Sequence, residues 1–332
     1  MHGILTTALI GLAIGCAGAA QAAAPAYHVV AKVPGADGGW DYARVDEAQH
    51  RVLITRGSSV MALDLPADKV VAGLAPGRAE HIALPIEGGA EMLVTDGGAN
   101  AVLFADARTG RVQASVPVGK GPDSATFDPH SGLVLVVDHA GGALSLVDPK
   151  ARKVVGTIPV GGVLEEASVD GHGRAFVNVV SESKVAVVDI AARKIVARWD
   201  LPGCSHPTGS AFDARDGDLI AACQGATDVL SVADGKLVAT LKTGQGADGA
   251  IYDPQRRLAF VPAARDGILS VIAFSGGQPK IVQTLTTQKG ARTIALDEAS
   301  GRLYLPTAQY VLPPGGGYKV VPGTFQVLVV AP

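Results

Sequence analysis

The 332-residue chain lacks any cluster of lysine and arginine, and its formal net charge is −3. A protein that tracks the phosphates of nucleic acid needs clustered cations, because release of counterions drives that binding. General nucleic-acid binding is therefore not expected. The serine-hydrolase elbow, the glycine-rich phosphate loop and the His-Glu-x-x-His helix are also missing from the sequence. These absences favour a binding role over an enzymatic one.

Long apolar runs and helical periodicity are missing as well. After Tyr27 no run reaches the length of a transmembrane helix, so no membrane span is expected in the mature chain. No segment sustains apolar spacing at 3.6 residues, which excludes helical repeats. Aromatic residues make up 5% of the chain and charged residues 18%, whereas there are 42 glycines and 20 prolines. This composition is typical of many short strands joined by tight turns.

The first 24 residues are predicted to be a signal peptide, so the expected location is periplasmic or secreted. Ile4 to Gly15 form an apolar run that is short for a bilayer, and small residues follow it, including Ala20-Gln21-Ala22. The residues before Cys16 loosely resemble a lipobox, so a lipid-anchored protein is the alternative. Residues 25–332 are expected to form a single domain.

An internal repeat organises the rest of the chain. An apolar stretch that ends at an acidic residue before a turn recurs seven times, 40 to 44 residues apart, at Asp46, Glu87, Asp128, Asp170, Asp213, Asp253 and Asp297. The third unit contains four β-branched-rich runs of strand length, at 124–128, 133–138, 143–148 and 153–160. Four antiparallel strands in a unit of this length are typical of a propeller blade. The predicted fold is an all-β, seven-bladed β-propeller with four-stranded antiparallel blades.

The two ends of the chain predict how the ring closes. Outer strands begin near Lys69, Arg111, Lys153, Lys194, Lys236 and Lys280, which makes six outer strands for seven units. The last unit stops at its third strand, Phe325 to Val330, while His28 to Gly35 at the N-terminus resembles Val154 to Gly161. Pairing of the N-terminal strand in the last blade is therefore expected, because it removes two free sheet edges at once.

The segments Gly141 to Asp148 and Lys153 to Gly161 resemble the repeat of the YVTN propellers. Gly203 to Gly209 with Cys223, and Gly290 to Asp297 with the segment that follows, are similar to the YncE-like branch of that family. The resemblance covers Tyr27 to Pro332 and implies a bacterial, periplasmic or surface-exposed, seven-bladed propeller. The YVTN tetrapeptide is nowhere intact, and Glu165 replaces the usual proline region.

Two sets of loops, which join successive units and link the second strand to the third, are expected around the channel on one face. Function in such folds usually lies on loops held by a rigid scaffold. The candidate ligand-binding residues at this channel mouth are Trp40, Asp41, His81, Asp123, Glu165, His206, Asp248 and Arg292.

Each candidate has two interpretations. Carboxylates with His81 or His206 suit a divalent cation, and Arg292 suits a carboxylate or phosphate group; the alternative is that these polar residues only line a wet funnel. Trp40 either stacks on a ligand ring or fills a wedge between the first and last blades. His50, His130 and His172 are expected in solvated turns on the opposite face.

Cys204 and Cys223 are predicted to form a disulfide. Cys204 precedes an inner strand and Cys223 ends the strand paired with it, so antiparallel pairing across the turn near Asp213 brings the two backbones close. An exported protein meets an oxidising compartment, where such a bond persists.

These features together predict an exported binding protein or interaction scaffold, whose small-molecule ligand or envelope protein partner lies on the loop face. The alternative is a metal-assisted hydrolase or a cofactor-linked oxidoreductase that uses the same acidic and histidine-bearing channel mouth. The sequence leaves the cofactor unassigned, with a divalent metal as one option. A monomer is expected.

Overall fold

A computed structural model describes residues 26–65, 69–274, 277–311 and 319–332. These residues form antiparallel sheets and two single-turn 3₁₀ helices, Glu87–Gly89 and Val180–Glu182, and no α-helix occurs in the described ranges. The predicted all-β class is confirmed. The signal-peptide and Cys16 lipoprotein predictions fall outside these ranges. Within them, no helix has the length and apolar character that crossing a membrane requires.

The sheets follow the repeat along the chain. The first strand, β1 (His28–Pro34), belongs to the last sheet. A seven-stranded sheet contains, in order, β2 (Ala43–Asp46), β3 (Arg51–Thr55), β4 (Gly57–Asp64), β5 (Val70–Ile86), β6 (Glu91–Asp96), β7 (Ala101–Asp106) and β8 (Val112–Pro117). The next two sheets contain β9 (Pro122–Asp128), β10 (Leu133–Asp138), β11 (Ala143–Asp148) and β12 (Lys153–Pro159), and then β13 (Leu164–Val169), β14 (Arg174–Val179), β15 (Lys184–Asp189) and β16 (Lys194–Asp200).

The remaining sheets complete the described chain. Two more four-stranded sheets contain β17 (Gly209–Asp213), β18 (Asp218–Ala222), β19 (Gly225–Ser231) and β20 (Leu237–Gly244), and then β21 (Ile251–Asp253), β22 (Leu258–Ala263), β23 (Ile268–Ala273) and β24 (Lys280–Thr286). The last sheet has the order β1 (His28–Pro34), β29 (Gln326–Ala331), β26 (Arg302–Thr307) and β25 (Ala295–Asp297). A short hairpin pairs β27 (Tyr310–Val311) with β28 (Lys319–Val320).

The long strand β5 joins two predicted strands into one. The sequence predicts an outer strand from Lys69 and a separate inner strand that ends at Glu87, but the structure runs 17 residues in one strand. The connection stays paired because the N–H groups of Gly97 and Gly98 donate to the carbonyls of Ala79 and Arg78 at 3.0 and 2.8 Å. Register shifts on both sides of β5 accommodate the change of partner.

Six of the seven recurring acidic residues cap the turns that follow them, whereas Glu87 begins the 3₁₀ helix Glu87–Gly89. The Asp128 carboxylate accepts hydrogen bonds from the N–H groups of His130 and Ser131, and the Asp253 carboxylate accepts from those of Gln255 and Arg256. Asp128 and Asp253 are fully buried. A short carboxylate that bonds to the backbone two or three residues ahead stabilises a tight turn, which explains why an acidic residue recurs at this position.

The N-terminal strand pairs in the last sheet, as the sequence predicts. His28 lies opposite Ala331 and Pro34 opposite Gln326, with a bulge between Val29 and Ala31. The first and last sheets also share a core, in which Ile54 and Met61 pack with Tyr304, Phe325 and Val327.

Cys204 and Cys223 are paired, which supports the predicted disulfide. Their Cα atoms lie 5.4 Å apart, within the usual range for a disulfide. Both cysteines are buried in a cluster with Phe176, Val185 and Leu219 from this sheet and the preceding one.

Candidate functional site

Side chains from the first four repeats meet where the inner strands begin. Asp41 lies two residues before β2, His81 lies within β5, and Asp123 and Glu165 are the second residues of β9 and β13. His139 comes from the turn between β10 and β11. The shared position in each repeat brings these side chains to one end of the molecule. We call Asp41, His81, Asp123, His139 and Glu165 the acidic cluster.

Asp123 lies at the centre of the acidic cluster. His81 Nδ1 lies 2.7 Å from Asp41 Oδ2 and 3.0 Å from Asp123 Oδ1. The other carboxylate oxygen, Asp123 Oδ2, lies 3.9 Å from His139 Nδ1. His139 Nδ1 is 3.3 Å from Glu165 Oε1. One carboxylate therefore faces two imidazoles, each of which has a further carboxylate beside it.

Charge is concentrated in this cluster. The pKa of His81 is raised to about 10, mainly by the contact with the Asp123 carboxylate and secondly by the hydrogen bond to Asp41. Burial raises the pKa of Glu165 to about 8 and also raises the pKa of Asp41. At neutral pH His81 is therefore an imidazolium and Glu165 largely holds its proton, so protons offset part of the negative charge.

An ion pair between distant repeats lies beside the cluster. Arg44 Nη2, on β2, lies 2.7 Å from Glu166 Oε1, on β13, and the second Glu166 oxygen accepts a hydrogen bond from the N–H of Ser210 at 2.9 Å. Tyr42, also next to β2, is only 3% exposed. Burial, followed by the charges of Asp123 and Glu166, raises the pKa of the Tyr42 phenol well above its usual value, so the phenol lies among these carboxylates.

Arg292 borders the cluster on the side of the last repeats. Its Nε lies 2.7 Å from Asp248 Oδ2, its Nη2 lies 3.8 Å from Asp41 Oδ1, and Nη2 also donates to the Trp40 carbonyl. Burial raises the pKa of Asp248 to about 6. Arg292 therefore links three repeats at the junction between the chain's first and last sheets.

Trp40 occupies the wedge between the first and last sheets. It is 4% exposed, and its ring centroid lies 5.5 Å from that of Tyr310 and 5.6 Å from that of Phe325. The structure therefore supports the wedge and leaves little of the ring free to stack on a ligand.

A cavity of about 830 Å³ opens beside Arg292, between the last three repeats. Three cations, Arg265, Lys289 and Arg292, and three amides, Gln224, Gln288 and Gln309, contribute to its lining, with Asp248 as the acidic residue. Arg265 and Lys289 are exposed and make no ion pair with any residue in the described ranges. The cavity is therefore positively charged, in contrast to the acidic cluster next to it.

The structure brings together most of the predicted site. Asp41, His81, Asp123 and Glu165 converge, and Asp248 and Arg292 lie beside Asp41. His206 does not join them: it is exposed, at φ +51°, and has no hydrogen bond or ion pair within the part of the chain that is described.

Three residues in contact with the site are not in the predicted set, namely Tyr42, Arg44 and His139. The signal for His139 is its position in a turn between second and third strands, directly after Asp138. Tyr42 and Arg44 alternate at the start of β2, and the sequence holds no mark that separates them from ordinary inner-strand residues.

No protein-family model and no curated protein matches the sequence. Among solved structures, a chain of hydrazine synthase from Kuenenia stuttgartiensis is similar, with a TM-score of 0.70 and 15% identity over 92% of this chain and 99% of that chain. A chain of the mitotic checkpoint complex has a TM-score of 0.72 and 12% identity over 99% of both chains. The fold is a β-propeller. At these identities the likeness shows the fold alone, and the YVTN and YncE-like resemblance stays a prediction.

Asp138, next to His139, predicts a pH dependence of stability. It is fully buried, and although Ser145 Oγ donates to its Oδ2 at 2.7 Å, no described residue bonds to its Oδ1. Burial raises the pKa of Asp138 from 3.8 to about 6. The folded protein thus holds this proton more tightly than the unfolded chain. The protonated form therefore adds to the free energy of unfolding. This contribution is fully present below pH 3.8, the pKa in the unfolded chain, and is lost as the pH rises through about 6, the pKa in the folded protein.

The variant Asp138→Asn is expected to be more stable than the wild type by about 2 kcal/mol at pH 8. The rise of the Asp138 pKa from 3.8 to about 6 corresponds to a loss of about 3 kcal/mol in the free energy of unfolding at high pH. Asparagine avoids this loss, but its unpaired amide costs about 1 kcal/mol. Urea unfolding at pH 8 and at pH 4 measures the effect, with EDTA present in both. An advantage of the variant that is equal at both pH values would contradict the prediction.

Proposed function

We propose that the chain is an exported, seven-bladed β-propeller that binds a small polar ligand bearing an anionic group on its loop face. The count of seven comes from assigning β5 to two four-stranded units, which yields two units from the large sheet, four from the next sheets and one from the last. The pairing of β1 with β29 and the shared core of the first and last sheets support closure of the ring. Export is supported by the predicted signal peptide and by the paired cysteines.

The observation that carries the proposed ligand class is the cation-lined cavity. Its volume of about 830 Å³ is in the range of small-molecule sites, and exposed cations without acidic partners attract an anion. The Nε of Arg292 is paired with Asp248, whereas Arg265 and Lys289 have no ion-pair partner among the described residues. The amides of Gln224, Gln288 and Gln309 can donate to a ligand oxygen or accept from a hydroxyl.

An interaction scaffold is the second candidate, because the same loop face is broad and polar. The cavity favours the small ligand over the protein partner, since a concave site with a few convergent polar groups is typical of small-molecule binding.

The double variant Arg265→Gln/Lys289→Gln is expected to bind anionic probes at least about tenfold more weakly, because each charge-assisted hydrogen bond contributes about 1.5–3 kcal/mol. Isothermal titration with citrate, succinate and inorganic phosphate measures the effect at low ionic strength.

The matched control is Lys153→Gln/Lys194→Gln, which removes two exposed cations at the opposite end of the strands. It has the same net charge as the test variant and should retain wild-type affinity. Equal weakening in both variants would show general charge attraction and would count against the cavity.

A further inference from the structure

The acidic cluster divides into two groups that share one residue. The first contains Asp41, His81 and Asp123, and the second contains Asp123, His139 and Glu165. Each group has two carboxylates and one imidazole, and its candidate ligand atoms lie within 4.8 Å of one another. Zinc binds imidazole nitrogen and carboxylate oxygen at about 2.0–2.2 Å, so its ligand atoms lie about 3–4 Å apart. The 4.8 Å limit is slightly wider than this spacing, so a bound ion would draw the ligand atoms of either group together.

We propose that these five residues form a paired divalent-metal site in which the Asp123 carboxylate bridges two cations. The two Asp123 oxygens face different imidazoles, Oδ1 at 3.0 Å from His81 Nδ1 and Oδ2 at 3.9 Å from His139 Nδ1. A bridging carboxylate requires this division, and it holds two cations about 3.5–4 Å apart. Mixed imidazole and carboxylate ligands suit Zn²⁺ or Mn²⁺ better than Ca²⁺ or Mg²⁺, whose protein ligands are mainly oxygen atoms.

A buried tyrosine at the cluster has an unpaired hydroxyl, which points independently to a bound group. His139 Nδ1 is buried, and the nearest carboxylate oxygen, Glu165 Oε1, lies 3.3 Å from it. Tyr42 is 3% exposed and lies among Asp123, Glu165 and Glu166, yet its hydroxyl has no hydrogen bond to any residue that the structure describes. An unpaired buried polar group costs about 1–3 kcal/mol. A metal-bound water beside the Tyr42 hydroxyl would satisfy it.

This inference is independent of the proposed anion site, because none of the five residues lines the cation-lined cavity. Anion binding in the cavity and metal binding in the acidic cluster can therefore fail separately. The anion titrations are carried out on protein that has been stripped with EDTA and then dialysed free of it, so a result there does not depend on bound metal.

The test uses the tag-free mature chain, stripped with EDTA, dialysed and titrated with ZnCl₂ and with MnCl₂ by calorimetry. Elemental analysis after dialysis against the metal measures stoichiometry. The expected result is two ions per chain for the wild type, one for Asp41→Asn and one for Glu165→Gln. Asp123→Asn is expected to weaken both ions by more than about tenfold, since loss of even an outer-shell partner costs about that much.

His172→Gln is the matched control, because His172 is exposed in the turn between β13 and β14 at the opposite end of the strands. It should bind two ions with wild-type affinity. Circular dichroism checks that each variant is folded, and if Asp123→Asn fails to fold, the Asp41 and Glu165 variants still decide the question. Fewer than two ions on the wild type, or two ions on both single variants, would overturn the paired site.

Discussion

Replacement of Tyr27 by alanine is expected to lower the free energy of unfolding by about 4 kcal/mol, the range found for large buried aromatic residues. Tyr27 directly precedes β1, is 1% exposed, and packs edge-on against Phe260 with ring centroids 4.9 Å apart. Gln283 on β24 fixes its backbone, since the Gln283 amide donates to the Tyr27 carbonyl at 2.7 Å and accepts from the Tyr27 N–H at 2.8 Å. Tyr27 therefore anchors the N-terminal strand to the neighbouring sheet.

The control for this prediction is Tyr27→Phe. The Tyr27 hydroxyl is buried and bonds to no residue in the described ranges. Its removal keeps the ring and deletes an unpaired polar group, so the variant should match the wild type or be more stable by about 1 kcal/mol. Urea unfolding followed by circular dichroism compares the three proteins. A loss below about 1 kcal/mol for Tyr27→Ala would show that the N-terminal segment contributes little to closure.

The sheets of this protein can be predicted from local sequence signals, because each repeat carries its own turn and strand signals. An aspartate at the end of an inner strand caps the next turn, as Asp128 and Asp253 show, and its period marks the units. The position of β1 also follows from the sequence, because the last unit lacks an outer strand and only one unassigned strand remains. The length of β5 does not follow, since hydrogen bonds from Gly97 and Gly98 extend it and those residues lie in a different hairpin.

The acidic cluster is harder to predict, because it depends on where each loop enters its strand. Glu165 and Asp123 are second residues of their strands and point into the cluster, whereas His206 lies three residues before β17 begins. The loop that carries His206 is also held elsewhere, since the Gly203 N–H donates to Asp228 at 2.9 Å and Cys204 is paired with Cys223. His139, rather than His206, is the second histidine of the acidic cluster. It comes from a different kind of loop than His81 does, so its position in the cluster follows only from the three-dimensional structure.

Opening of the disulfide is expected to lower the free energy of unfolding by about 3 kcal/mol, because the cross-link restricts the unfolded chain. Cys204 and Cys223 are separated by 19 residues, and a loop of that size corresponds to about 3 kcal/mol in the chain-entropy relation. Reductant should produce this loss in urea unfolding of the wild type, and the double variant Cys204→Ala/Cys223→Ala should show a loss of about 4 kcal/mol, because it also loses packing.

The same double variant separates the cross-link from the packing of the cysteines. Both sulfur atoms lie in the cluster with Phe176 and Leu219, so alanine also removes buried volume, at a cost of about 1 kcal/mol that reductant alone does not produce. Reductant should therefore destabilise the wild type and leave the double variant unchanged. Wild-type unfolding that is indifferent to reductant, together with two titratable thiols in the oxidised protein, would contradict the disulfide. Because β17 and β18 hold the two cysteines close in any case, the fold should survive reduction, and the loss should appear in stability rather than in the far-ultraviolet spectrum.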